Sequence, residues 1–599
     1  MRTAETVLGV IQNRGEQGLP LEDIYRQLYN PNLYLLAYSR LYANAGAMTP
    51  GITAETVDGT SLQKIENIIT ALRYERYHWT PVRRTYIDKK NSTQKRPLGI
   101  PSWSDKLLQE VLRLILEAYY EPQFSEHSHG FRPQRGCHTA LAEIEHTWKG
   151  THWFIEGDIA GCFNNIQHEI LLDILAKKLH DNRFLRLIRN LLQAGYLETW
   201  EYHPTLSGTP QGGVVSPILA NIYLGELDRF VEQTLIPEYT RGKSRKANLK
   251  YRKLMNASWQ QADQQNYEEA KRLRRQAQCL PALDPDDAKY RRLRYVRYAD
   301  DILLGFAGPK AEAENIKQRL AYFLQQTLKL ELSQKKTLIT HATTQAAHFL
   351  GYAIHTQLAN DKLSGDDSRR LNGRIGLYVP QGVVDQYCRL YMSHGKPTSR
   401  PELLYESDYT IVTLYQAEYR GIVQYYQIAQ NVSAFWKLHW VMQTSLLKTL
   451  AHKHQTSVKA MARKYSVRRK TAEGTYKCLA VKITREGDKP PLVAYFGGIP
   501  LRRRPTAVLV DGAPRQFRWS ARSELIQRLL KEECELCGAT EQLEVHHIRK
   551  LSDLKVKGRK ERPLWMQVMA ARRRKTLVVC KDCHTNIHAG RPTRQRVLE

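Results

Sequence analysis

RYVRYADDILLGFAG, residues 294–308, sets two apolar runs on either side of Tyr298-Ala299-Asp300-Asp301. Their β-like pattern predicts a hairpin with two acids at its turn. Most Asp-Asp pairs are solvated surface turns. Between runs this apolar, a purely structural role fits poorly, because an unpaired carboxylate is costly to bury. Upstream, THWFIEGDIAGCFNNI (151–166) reads as a buried strand that delivers Asp158 at its end and then turns into a helix. One acid at a strand end and two on a neighbouring turn can hold two divalent cations about 3.5 to 4 Å apart. Such a pair of ions serves in-line attack of a hydroxyl on an α-phosphate and neutralises the departing pyrophosphate.

The surrounding chain is large and basic. At 599 residues it exceeds what one core supports, which predicts three to five modules. Lys and Arg number 90 against 60 acids, a net charge of +30, so the expected partner is a polyanion. The basic segments also carry aromatics, which favours nucleic acid over a membrane surface. Residues 20–120 read as helices with a strand at VRRTYIDKK (82–90), giving a mixed α/β pattern. SGTPQGGVVSPILANIYLGELD (207–228) is a Gly/Pro loop running into an apolar helix. The insertion at 238–297 holds sixteen Lys/Arg against seven Asp/Glu, a net charge of +9, and reads as a solvated helical hairpin. From about 380 to 480 the pattern is helical and aromatic, and most of Tyr415, Tyr419, Tyr425, Tyr426, Phe435, Trp436 and Trp440 are expected in the core. There is no run of about 18 apolar residues to span a membrane. The N-terminus has neither a secretory nor a transit pattern, so a cytoplasmic location is expected.

The tail carries a second constellation. Cys534/Cys537 and Cys580/Cys583 are two Cys-x-x-Cys pairs, spaced to give four thiolates to one tetrahedral zinc rather than disulfides. A zinc ribbon alone leaves His546, His547, His584 and His588 without a role. His584 and His588 share a helix face and can join His546 around a second, more open metal.

These motifs together carry a resemblance. Tyr298-Ala299-Asp300-Asp301 and FIEGDIAGCF resemble the metal-binding signatures of reverse transcriptases. RPLGIPSWSDKLLQEVLRLIL (96–116), SHGFRPQRGCHTAL (128–141), GTPQGGVVSPILANIYLGELD (208–228), LELSQKKT (330–337) and HFLGYAIH (348–355) resemble successive blocks of bacterial group II intron-encoded proteins. The histidines and cysteines resemble an HNH endonuclease.

The resemblance implies a multidomain α+β chain. It would have right-hand polymerase fingers and palm (an antiparallel sheet with helices), an α-helical thumb or maturase domain, and a small ββα-metal HNH domain with a zinc ribbon-like four-cysteine site. The corresponding spans are 1–120 for the N-terminal extension and fingers, 121–375 for the palm with fingers elements and the basic insertion 238–297, 376–500 for the thumb or maturase domain, 501–532 for a DNA-binding segment and 533–599 for the nuclease. Asp158, Asp300 and Asp301 would bind two Mg²⁺. Phe163 would crowd the sugar 2′ position, with core packing as the alternative. Lys89 and Arg96 would contact the triphosphate, although Lys89 also fits a solvated surface. Gln211 would sit beside template and nucleotide.

In the tail, His547 would be the general base, and His546, His584 and His588 would hold one divalent ion. Lys575 stands where many relatives have Asn, with Asn586 as a substitute to be tested. The implied partners are the host intron RNA in a ribonucleoprotein, target double-stranded DNA and dNTPs, with no membrane. Nucleoid association would accompany action on DNA.

Three rival readings are a splicing factor with degenerate enzymes, a defence or retron reverse transcriptase, and a viral RNA-dependent RNA polymerase. The first predicts lost metal ligands, and none is lost. The second leaves the HNH segment unexplained. The third favours Gly-Asp-Asp and a small residue at 163.

Overall fold

A computed structural model of the chain describes residues 2–44, 46–88, 95–198, 201–203, 208, 212–284, 287–333, 336–358, 372–485, 490–507, 524–554 and 562–593. Lys89, Gln211 and the segment 508–523 lie outside the described residues.

Near the N-terminus, α1 (Pro31–Leu41) starts at Asn30, whose side chain accepts from the Asn32 N–H. β1 (Val82–Asp88) and β2 (Lys95–Ile100) pair antiparallel and are extended by Tyr196–Glu198 and Glu201–His203 into a four-stranded sheet. α2 (Trp103–Tyr120) is capped by Ser102 and has fifteen of its eighteen residues buried. A helix buried around most of its circumference is a core helix, and the apolar residues of α2 belong to the core formed with the N-terminal helices.

The sheet that positions the aspartates has the order β6 (Leu338–His341), β3 (Trp153–Asp158), β5 (Asp301–Ala307), β4 (Arg292–Tyr298), all antiparallel. Both of its faces are covered, Leu304 and Phe306 being fully buried on one and Phe154 on the other, each contributing about 1.5–3 kcal/mol by leaving water. α3 (Ser216–Phe230) packs behind it, and the basic insertion forms a solvated hairpin of α4 (Leu249–Asp263) and α5 (Tyr267–Gln278), as its composition predicts.

The region after 380 departs from the all-helical expectation. α6 (Asp408–Tyr425) and α7 (Trp436–Lys453) pack against a three-stranded antiparallel sheet of β7 (Ser466–Thr471), β8 (Gly474–Ile483) and β9 (Leu492–Phe496). The strands form because their alternation buries Leu479, Val481, Ala494 and Phe496 while charged residues face out. Tyr415, Tyr419, Tyr426 and Phe435 are buried as expected, whereas Trp436 and Trp440 are 64% and 59% exposed.

The C-terminal lobe contains α8 (Glu524–Leu529), the antiparallel pair β10 (Leu543–His547) and β11 (Thr576–Cys580), and α9 (Lys581–His588). Sequence reading sets this lobe apart. In the structure Leu525, Ile526, Leu529, Val545 and Val578 join the same core as the N-terminal helices.

Candidate active sites

Asp158 and Asp301 face each other across the β3–β5 ladder, and Asp300 precedes Asp301 at the turn. Ala299 completes that turn in the left-handed region at φ 55°. The turn is held from behind. Arg297 donates to the Ala299 carbonyl at 2.9 Å and to Asn221 at 3.1 Å, and it is paired with Asp228. Asn221 in turn donates to the Gly130 carbonyl at 2.8 Å. A Cβ on Gly130 would fall 2.4 Å from the Ala299 backbone nitrogen, so glycine is required for this close approach.

Burial, followed by the charge of Asp158, raises the Asp300 carboxyl. Burial, Asp300 and Asp158 together push Asp301 up to about 6. Three carboxylates crowded in this way fit divalent cations, which relieve the repulsion. Lys336 Nζ lies 3.0 Å from Asp158 Oδ2, and Arg96 is close enough to lower Asp300. Phe163 is half-buried and meets Phe131 edge-on at 6.1 Å.

The second constellation also assembles. The ligand atoms of Cys534, Cys537, Cys580 and Cys583 all lie within 4.8 Å of one another. Burial and the neighbouring cysteines raise the Cys583 thiol, a cost that a thiolate-binding metal removes.

His546, His584 and His588 converge as the spacing predicts, and Asp58 joins them from the N-terminal region. Asp58 lies 3.4 Å from His546 Nδ1, 3.3 Å from His584 Nε2 and 2.8 Å from His588 Nε2. His546 is 4% exposed; its Nδ1 approaches Asp58 at 3.4 Å, and its Nε2 has no hydrogen-bond partner among the described residues. Buried polar atoms left this way suit a missing ligand. Glu544 meets His584 Nδ1 at 2.5 Å and orients the ring. Burial opposes the effect, but Asp58 and Glu544 raise His584 to about 9. Burial would raise the Asp58 carboxyl, and the histidines outweigh it and hold it well below the usual range.

His547 is buried on the other side of β10. Its Nδ1 donates to the Val545 carbonyl at 3.1 Å and its Nε2 lies 3.2 Å from the Tyr38 hydroxyl. Burial lowers it to about 4. Lys575 uses its carbonyl to accept from Ile548 N at 3.0 Å. Asn586 is two residues from both His584 and His588 on α9 and so lies off their shared face.

The reverse transcriptase (RNA-dependent DNA polymerase) family matches residues 87–354, type II intron maturase matches 383–484, and the AI2M/AI1M-like HNH endonuclease matches 534–584. Group II intron-encoded protein LtrA of Lactococcus lactis subsp. cremoris is 40% identical over 94% of this chain and 95% of its own length. The chain belongs to the group II intron-encoded proteins. An uncharacterized 91 kDa protein in the cob intron of Schizosaccharomyces pombe is 34% identical over 94% of this chain and 69% of its own. A putative COX1/OXI3 intron 1 protein of Saccharomyces cerevisiae is 30% identical over 97% and 70%.

This group II intron-encoded protein is therefore an enzyme with reverse transcriptase and HNH endonuclease domains joined by a maturase domain, and both enzyme domains use divalent metal. Among the described residues, no helix is long and apolar enough to cross a membrane. Sequence reading missed Asp58, Glu544, Lys336 and the Arg297–Asp228 pair. LELSQKKT marks the stretch holding Lys336 without singling it out, and nothing local marks Asp58.

Proposed function

We propose that this protein copies its host intron RNA into DNA at Asp158, Asp300 and Asp301, supports splicing of that RNA, and nicks target DNA to create the primer. Residues 1–120 would act as N-terminal extension and fingers, 121–375 as palm, 376–500 as thumb, 501–532 as a DNA-binding segment and 533–599 as nuclease. The observation that carries the reading is the facing pair Asp158 and Asp301 on adjacent strands beside Asp300. Two Mg²⁺ ions would supply activation of the primer hydroxyl and charge neutralisation on the leaving pyrophosphate. The protein's own task is to hold the three carboxylates on a rigid turn, with Lys336 and Arg96 offering positive charge to a triphosphate.

Phe163 would exclude the ribose 2′-OH, and Lys89 and Gln211 would contact nucleotide and template. At the tail, Cys534, Cys537, Cys580 and Cys583 would hold structural Zn²⁺. His546, His584 and His588 would hold one divalent ion, with His547 as general base. A cavity of about 1220 Å³ lined by Lys464, Arg468, Arg469, Lys470 and Lys482 supports RNA binding by the maturase region.

Primer extension on RNA and DNA templates, with Mg²⁺ and with chelator, tests the reading. Asp300→Ala should abolish cDNA synthesis and leave intron splicing intact. Persisting synthesis would remove the two-metal assignment.

A further inference from the structure

Residues 57–60 of the N-terminal region dock on the edge of β10. Gly59 N donates to the Val545 carbonyl and Val545 N donates to the Thr60 carbonyl, both at 3.0 Å. His547 N donates to Asp58 Oδ1 at 2.7 Å. This single bridge brings the Asp58 carboxylate against His546, His584 and His588. Asp58 Oδ1 lies 3.4 Å from His546 Nδ1 and 3.3 Å from His584 Nε2, the edge length of a tetrahedron whose centre is about 2.0–2.1 Å from each ligand, and Asp58 Oδ2 lies 2.8 Å from His588 Nε2.

Around a tetrahedral ion such as Zn²⁺ or Co²⁺, a four-ligand site of this kind is closed. Catalytic metal sites keep one position for water or substrate, whereas four protein ligands mark a structural site. Three histidines from the nuclease lobe leave that position open, and Asp58 fills it. The base is blocked by the same N-terminal region. A carbonyl can only accept, so His547 Nδ1 carries its proton toward Val545, and the remaining Nε2 lone pair accepts from the Tyr38 hydroxyl. A general base needs that lone pair free to take a proton from water. Tyr38 and Asp58 both belong to the N-terminal region, and Leu525, Ile526, Leu529, Val545 and Val578 bury the junction in a shared core.

We propose that Asp58 is a fourth metal ligand of the nuclease site and, with Tyr38, locks the HNH domain in a resting state until a DNA phosphate displaces it. The carboxylate offers the metal an anionic oxygen, which is what a phosphodiester of the cut strand offers. Cleavage is thereby tied to release of residues 57–60 from β10. The lock rests on the nuclease reading given above.

The test uses the full-length, zinc-loaded protein as wild type, Asp58→Ala, Tyr38→Phe and His547→Ala. It measures Co²⁺ affinity, amide exchange at residues 545 and 547, and Co²⁺-dependent nicking of a supercoiled plasmid. The lock predicts Co²⁺ binding at least about tenfold weaker in Asp58→Ala, with faster exchange at both amides. It also predicts several-fold more nicking in Asp58→Ala and in Tyr38→Phe at saturating Co²⁺. Reduced nicking in Asp58→Ala would make Asp58 a working ligand and overturn the lock alone. Unchanged Co²⁺ affinity and exchange would also overturn it. No nicking by any protein, or nicking that survives in His547→Ala, would remove the nuclease reading and the lock with it.

Discussion

The Arg297 guanidinium, fully buried, grips both carboxylate oxygens of Asp228, Nη2 to Oδ2 at 2.6 Å and Nε to Oδ1 at 2.8 Å. Through its further bond to the Ala299 carbonyl, this pair sets the turn that presents Asp300 and Asp301. Removing one partner strands a charge in the core. Asp228→Ala should cost about 3–5 kcal/mol in urea unfolding followed on the polymerase region. Arg297→Met combined with Asp228→Leu should recover much of that stability without recovering primer extension.

The crowded aspartates make metal use depend on pH. Asp301 is raised to about 6, and its proton must leave before a cation binds. Apparent Mg²⁺ affinity in primer extension should fall as pH drops from 7.5 to below 6. In chelator the sign reverses for stability. A carboxyl raised above its unfolded value of about 3.9 contributes stability at low pH and loses it as pH rises through the folded value. Melting of the chelated protein across pH 4–8 checks this, and added Mg²⁺ should cancel the trend.

Phe163 meets Phe131 edge-on and remains half-buried, so its ring is free on one side to approach a nucleotide. Phe163→Ala should raise ribonucleotide incorporation relative to deoxynucleotide by roughly 10- to 100-fold, within what one steric contact supplies. Single-nucleotide extension with each triphosphate measures it. An unchanged ratio with a lower melting temperature would assign the ring to packing.

Cys537 and Cys580 bring their sulfurs to 3.7 Å although Cys537 lies in the turn before β10 and Cys580 ends β11. Cys580→Ser should remove roughly one equivalent of bound zinc by elemental analysis. It should loosen β10 and β11 to proteolysis while cDNA synthesis persists.

What was legible in the sequence was whatever one short segment carries. The Asp300-Asp301 turn, the strand ending in Asp158, both Cys-x-x-Cys pairs and the His584/His588 spacing are local patterns, because strand and helix periods place those side chains directly. The strands after 466 were less legible, since their apolar faces are short and interrupted by charge. The exposure of Trp436 and Trp440 was hidden too, because aromatic spacing does not say which helix face is covered. Arg297 with Asp228, Lys336 with Asp158, and Asp58 with His547 come together across 69, 178 and 489 residues. No local signal encodes such pairs. The sequence by itself determined which chemistries the chain carries, through residue types at fixed spacing. Tertiary structure decided how they are coupled, because packing of the nuclease lobe into the N-terminal core is what brings Asp58 and Tyr38 onto its histidines.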